Sequence, residues 1–371
     1  MEQPPILLSA PDVGQAERDA LLAAFDSGWI APAGPDLDRF EEELVSYTEA
    51  PAAVALSSGT AALHLALLLA GVGPGDEVVV QSATFAASAF AVAHLGASPV
   101  FCDSESATWC LDPEPLADFL ERRSRIDRLP AAVMPVDLYG SAADYAQIAE
   151  VCERFGVAIV RDAAEALGSI GDAGHVGAEP CLTALSFNGN KIITASSGGA
   201  LLGTQDQVDR ARYLSTQARQ PVLHYEHIDV GFNYRLSNLL AALGRAQLAQ
   251  IERRIERRAQ IAEHYAAAFP EFGWCPYGCT GRPNHWLSVA LLPSGDPLAI
   301  CDVLHTIGVQ ARPAWKPMHR QPVFAQAEYV EGTGVADDLF ARGICLPSGS
   351  GLTDRDVERV VAAVRTVLAT S

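Results

Sequence analysis

The sequence predicts an α/β protein built on a largely parallel sheet covered on both faces. Three observations predict it. Seven short β-rich runs alternate with helix-length segments between about residues 50 and 205, the loops between them are short, and the composition is that of a globular chain. The 371 residues are 49% hydrophobic and 19% charged, with 30 Gly and 23 Pro, which is ample material for a core. Strands that alternate with helices form parallel units with both sheet faces buried.

In chain order the β-rich runs are VALS (54–57), EVVVQ (77–81), PVFCD (99–103), AAVMPV (131–136), VAIVRDA (157–163), LTALSF (182–187) and GALLGT (199–204). Helices are expected at about 59–70, 85–95, 113–122 and 142–155, the last with Ala146, Ile148, Ala149, Val151 and Cys152 available for burial. From Ser237 no proline intervenes until Pro270, and Leu240, Leu243, Leu248, Ile251 and Ile255 recur at helical spacing. That run predicts one long helix bridging two lobes, with the ERRIERR charges toward solvent or a neighbour. WLSVALL (286–292), PLAICDVLHTIG (297–308) and a final helix from about Asp354 to Leu368 mark a small C-terminal domain. The expected division is a large domain over 1–250 and a small one over 251–371.

Forty-five acidic residues against 26 Lys plus Arg give a net charge of −19, which argues against a nucleic-acid duplex or an anionic membrane surface as partner. The eight Cys form no CxxC pair and read as reduced thiols of an intracellular protein. Cys275, Cys279 and His285 could form a metal clip, but a turn with incidental thiols is favoured, and no metal is expected. No apolar run is long enough to span a membrane, and MEQPPILLSAPDVG lacks a basic segment followed by an apolar one, so a cytoplasmic location is expected.

Three stretches carry candidate chemistry. Ser57-Ser58-Gly59-Thr60 leaves a β-run and opens an apolar helix, where unpaired N–H groups and the helix dipole favour an anion; a plain N-cap is the alternative. It is no Walker loop, and Gly71-Val-Gly73-Pro-Gly75 is no dinucleotide fingerprint. Asp162 and Glu165 follow a strand, at the sheet edge where α/β proteins bind ligands. A carboxylate there can keep a heteroaromatic nitrogen protonated; an acidic helix cap is the alternative. Lys191 stands alone among small and polar residues in SFNGNKIITASSGG, as a Schiff-base lysine would; a surface lysine is the alternative.

In this order, SSGTAALHLAL, GVGPGDEVVV, PVDLYG, RDAAEALGS, SFNGNKIITASSGG, GFNYRLSNLLAALGRAQL and RPAWKPMH resemble the DegT family of pyridoxal-phosphate aminotransferases that act on nucleotide-linked keto sugars. The motifs cover nearly the whole chain. The resemblance implies a fold-type-I architecture, with a mostly parallel seven-stranded sheet in the large domain and a small C-terminal α/β domain. It also implies a homodimer with shared active sites. Lys191 matches the lysine that forms the Schiff base and later shuttles a proton, and Asp162 the partner of the pyridine nitrogen. Glu165 matches the position beside the pyridoxal hydroxyl, where many relatives carry Gln or His. Gly59, Thr60 and Ser186 match the phosphate cradle, Phe85 the aromatic stacked on the ring, and Asn233 an asparagine from the other subunit. QSATF stands where the family usually has PSFTF.

For the substrate, the resemblance points to Arg219, His224, Tyr225 and Tyr234 around one loop, to Arg312, Trp315, Lys316 and His319 in RPAWKPMH, and to Trp29 and Ile30. Together they offer cations and stacking surface for a sugar diphosphate. The implied reaction moves an amino group from L-glutamate to a keto sugar by way of the pyridoxamine form of the cofactor. SFNGNKIITASSGG with STQAR and HYEH looks most like the branch that aminates C4 of UDP-linked 4-keto-6-deoxy sugars. GDP- or dTDP-linked keto sugars and keto-cyclitols are the alternatives. A 3-dehydratase of this fold carries histidine in place of Lys191, a binding or regulatory module would not need Lys191 and Asp162, and a nicotinamide dehydrogenase would need the missing glycine fingerprint.

Overall fold

The computed structural model describes residues 4–172, 174–179, 181–275 and 281–369; Cys279 lies outside them. Two helices, α1 (Gln15–Asp26) and α2 (Pro35–Thr48), lead into β1 (Ala52–Leu56) and α3 (Gly59–Leu69). Then β2 (Glu77–Gln81), α4 (Ala86–His94), β3 (Ser98–Cys102), α5 (Pro113–Ser124), β4 (Ala132–Met134), α6 (Tyr145–Phe155) and β5 (Ala158–Asp162) alternate as expected. A small hairpin, β6 (Ile170–Gly171) and β7 (Gly174–His175), precedes β8 (Leu182–Ser186), β9 (Gly199–Gly203) and α7 (Gln205–Ser215).

Local chemistry sets several of these boundaries. The Ser58 hydroxyl caps α3 by accepting from the Ala61 amide, Asp112 caps α5 ahead of Pro113, and Gly156 ends α6 in the left-handed region at φ 67°.

All seven β-rich runs form strands of one sheet. Its order is β1-β9-β8-β5-β4-β2-β3, with β9 antiparallel to both neighbours and the rest running the same way. Among the described residues it gains an eighth strand, β13 (Tyr329–Val330), which pairs with Phe101 and Cys102 of β3. Two residues carry no periodicity, so this strand is not legible in the sequence. β1, β2, β4, β8 and β9 are almost wholly buried, as a sheet covered on both faces requires. Their C-terminal edge brings together residues 57–60, 82–85, 162–165 and 186–191.

The expected single helix after Ser237 is two, α8 (Asn238–Leu248) and α9 (Ile251–Ala268). Gln250 leaves the helical region at φ −116°, ψ 10°. Side chains on both sides of the break turn to one buried carboxylate: Glu17 accepts from Gln247 Nε2 at 2.7 Å, Gln250 Nε2 at 2.9 Å and Arg254 Nη2 at 3.1 Å. Leu248 and Ile251 are three apart, so their spacing reads through the break. Within ERRIERR, Arg254 and Arg258 are buried against neighbours.

A second, four-stranded sheet follows, in the order β10 (Gly273–Trp274), β11 (Ser288–Leu291), β14 (Gly343–Leu346), β12 (Arg312–Pro313). It carries α10 (Pro297–Thr306), α11 (Val335–Arg342) and the closing α12 (Asp354–Leu368). Residues from both sides of the expected 250/251 boundary cross it. Ile6 bridges to Val309 and the Ser348 amide donates to the Leu8 carbonyl, while β13 joins the large sheet. Among the described residues no helix is long and apolar enough to cross a membrane.

Candidate active site

A cavity of about 270 Å³ opens at the C-terminal edge of the large sheet. Its walls include Gly59, Thr60, Phe85, Asp162, Glu165, Ser186, Lys191 and Trp315, all expected from the sequence, together with Trp286 from the segment before β11. The first turn of α3 forms one end. Close packing explains its small residues: a Cβ on Gly59 would lie 3.0 Å from Ser186 Cβ, and one on Gly199 2.6 Å from the Gly59 nitrogen. The glycines let two segments close around a helix N-terminus, which suits a phosphate group.

Asp162, the last residue of β5, is buried. Its carboxylate accepts from the Ser88 hydroxyl at 2.7 Å and from the Ala164 amide at 3.1 Å. Burial raises its pKa, opposed by those two donors and by the charge of Lys191. Among the described residues no cation lies within ion-pair distance of it, so this carboxylate fits a protonated ring nitrogen entering the cavity.

Lys191 Nζ stands 3.7 Å from Glu165 Oε1 and 4.0 Å from the centroid of the Trp286 ring. The other carboxylate oxygen, Glu165 Oε2, accepts from the Tyr139 amide at 2.8 Å. Tyr139 holds that amide in place from the left-handed region, at φ 55°. Its ring stacks against those of Trp286 and Trp315, and its hydroxyl accepts from the Trp315 amide at 2.9 Å. Burial pushes the Glu165 carboxyl up to about 6, against the pull of Lys191 and the Tyr139 amide.

That shift has a sign that can be measured. A carboxyl raised on folding opposes folding once ionised, so the cost is absent below pH 4.5 and grows as pH rises toward 6. Glu165→Gln is therefore expected to stabilise the cofactor-free protein by about 2 kcal/mol at pH 7 and by almost nothing at pH 4.5. Urea unfolding across that range checks it, and a gap that does not change with pH counts against it.

The remaining residues singled out in the sequence do not meet this cavity within one chain. Asn233 is exposed, its Oδ1 accepting from Gln217 at 3.2 Å. Arg219 lies over the Tyr225 ring at 4.3 Å, and His224 pairs with Glu226 at 3.3 Å. Tyr234 meets His64 Nδ1 at 3.2 Å. Trp29 and Ile30 are about half exposed, and Arg312 and Lys316 are exposed to solvent. His319 is occupied, with Nδ1 2.7 Å from Ser82 Oγ and its ring stacked on Tyr329 at 3.8 Å.

Sequence reasoning misses Ser88, Tyr139 and Trp286. Tyr139 lies inside PVDLYG, which stands out only for its likeness, and Trp286 opens a run that reads as a strand. No local signal marks Ser88 as the partner of a residue far along the chain.

A fold of this topology, with a buried carboxylate and a lysine lining one cavity beside a helix N-terminus, defines a pyridoxal-phosphate-dependent aminotransferase of fold type I. Residues 11–365 match the DegT/DnrJ/EryC1/StrS aminotransferase family, and the chain belongs to it. It is 43% identical to EpsN of Bacillus subtilis, assigned to the pyridoxal phosphate-dependent aminotransferases, over 96% of this chain and 94% of that protein. It is 35% identical to GDP-perosamine synthase of Caulobacter vibrioides, over 98% and 99%. Among solved structures, the aminotransferase TlmJ from Streptoalloteichus hindustanus superposes with a TM-score of 0.90 at 29% identity, covering 98% of this chain and 99% of that one.

Proposed function

We propose that the protein transfers the amino group of L-glutamate to a nucleotide-linked 4-keto-6-deoxy sugar, giving a 4-amino sugar. The observation that carries the chemistry is that Lys191 and Asp162 line the same cavity. Bound pyridoxal phosphate supplies a carbonyl that condenses with amines and a ring that accepts the electrons of a broken C–H bond. Lys191 would hold the cofactor, and its Nζ, once freed by an amino donor, would be the group that takes a proton from the donor carbon and passes it on. Asp162 would keep the ring nitrogen protonated, and Glu165 would stand beside the ring hydroxyl. Gly59, Thr60 and Ser186 would receive the phosphate, and Phe85, its ring 5.6 Å from Trp315, would cover the ring face.

The residues that miss the cavity support a homodimer. Val222, Leu223, Tyr225, Ile228 and Val230 form an exposed apolar loop beside Arg219, His224 and Asn233. A second copy of the chain covering that loop would bring Asn233 to its own cavity and Arg219, His224, Tyr225 and Tyr234 to the sugar nucleotide. Trp29, Ile30, Arg312, Trp315, Lys316 and His319 are assigned to the sugar side on likeness.

Two nucleotides have separate support. SFNGNKIITASSGG with STQAR and HYEH favours a UDP-linked sugar, while the name of the Caulobacter relative, and of a Vibrio cholerae relative at 30% identity, favours a GDP-linked one. The test is an absorbance experiment. L-Glutamate is expected to convert the spectrum of the bound cofactor, and one of a panel of UDP-, GDP- and dTDP-linked 4-keto-6-deoxy sugars to restore it. Conversion by glutamate with restoration by none of them overturns the sugar assignment and leaves the transamination standing.

A further inference from the structure

The peptide that carries Lys191 is held from behind by residues from three distant parts of the chain. The carbonyl of Asn190 accepts two hydrogen bonds, from Trp286 Nε1 at 2.7 Å and from the Ser9 hydroxyl at 2.8 Å. One guanidinium ties both donors together. Arg258 of α9 donates through Nη1 to the Trp286 carbonyl and through Nη2 to Ser9 Oγ at 3.1 Å. Asn284 anchors the same segment: it accepts from the Trp286 amide at 2.9 Å and donates to the carbonyls of Glu165 and Leu167.

Arg258 is an expensive residue to bury. It is 2% exposed, no carboxylate lies within ion-pair distance among the described residues, and burial draws its pKa down to about 10. A buried guanidinium without a carboxylate partner opposes folding. Both of its hydrogen bonds go to the two groups that hold the peptide before Lys191. Neither Arg258 nor Ser9 lines the cavity.

We propose that Ser9, Trp286 and Arg258 form a positioning unit that sets where the Lys191 amine stands. The two donors on the Asn190 carbonyl fix the start of a flexible side chain, and the indole face supports its far end. Glu165 Oε1 stands 3.7 Å from the amine. An amine that must hold the cofactor and then move a proton between two carbons depends on placement, and a shift of about 1 Å can cost a hundredfold in rate. The inference rests on the reading of Lys191 as the cofactor-bearing lysine.

The test compares Ser9→Ala, Trp286→Phe and the double variant, each loaded with cofactor. Either donor can hold the Asn190 carbonyl alone, so each single variant is expected to lose kcat by about threefold, with KM for the amino donor nearly unchanged. The double variant leaves that carbonyl without either of its side-chain donors, and its loss is expected to exceed the product of the singles, about thirtyfold or more. The pH midpoint of the bound-cofactor absorbance is expected to move by about half a unit in the double variant, which a merely structural role would not cause. Wild-type kcat and midpoint in the double variant overturn the proposal. If circular dichroism shows that variant unfolded, Ser9→Ala decides by the same two readouts. Lys191→Ala separates the readings: cofactor still covalently held there refutes the lysine, whereas its loss beside a wild-type double variant refutes the positioning unit alone.

Discussion

Lys191→Ala is expected to abolish covalent attachment of the cofactor and to lower turnover by about 10⁴-fold or more. Two functions leave with one amine: the bond that holds the cofactor, and the proton transfer that follows its displacement. No second amine is placed to take over, because Lys191 is the lysine among the residues that line the cavity. The phosphate cradle and Asp162 remain in the variant, so cofactor should still bind, without a covalent link. Borohydride reduction followed by mass spectrometry reads this directly. A variant chain that carries the added mass of the reduced cofactor means that another lysine bears it.

Asp162→Asn is expected to keep cofactor and lose turnover by about 10²–10³-fold, the size of effect seen when one preorganised electrostatic partner is removed. The amide is isosteric and can still accept from Ser88 or Ala164, so the fold around β5 should persist. What goes is the negative charge. In the proposed role that charge would keep the ring nitrogen protonated and able to draw electrons; without it the nitrogen would lose its proton and the ring would be a poor electron sink. Ser88→Ala, which leaves the carboxylate but removes its 2.7 Å donor, is expected to lose less. Near-normal turnover in the asparagine variant removes the assigned role.

Both residues are marked by their neighbours along the chain. Lys191 stands out because the residues around it are small and uncharged, Asp162 because it ends an apolar strand at the ligand-binding edge. The strand runs are equally legible: buried parallel strands leave an unbroken apolar signature. The run after Ser237 reads as one helix because hydrophobic spacing records which face is buried, and the break at Gln250 keeps the same face. The carboxylate that side chains on both sides of the break meet, Glu17, lies more than two hundred residues earlier.

Local sequence by itself determined the alternation of strands and helices, the caps that bound them and the chemical identity of the lysine, the carboxylates and the glycines. These depend on neighbours a few residues away, and such neighbours are written next to each other. Only the tertiary structure decided what each functional group leans on: Ser88 against Asp162, the Tyr139 amide against Glu165, and Ser9, Trp286 and Arg258 behind Lys191. It also decided that β13 joins the large sheet and that Ile6 pairs with Val309. A hydrogen bond between residues hundreds of positions apart needs a folded chain to bring donor and acceptor within about 3 Å, and neither partner alone carries a mark of the other.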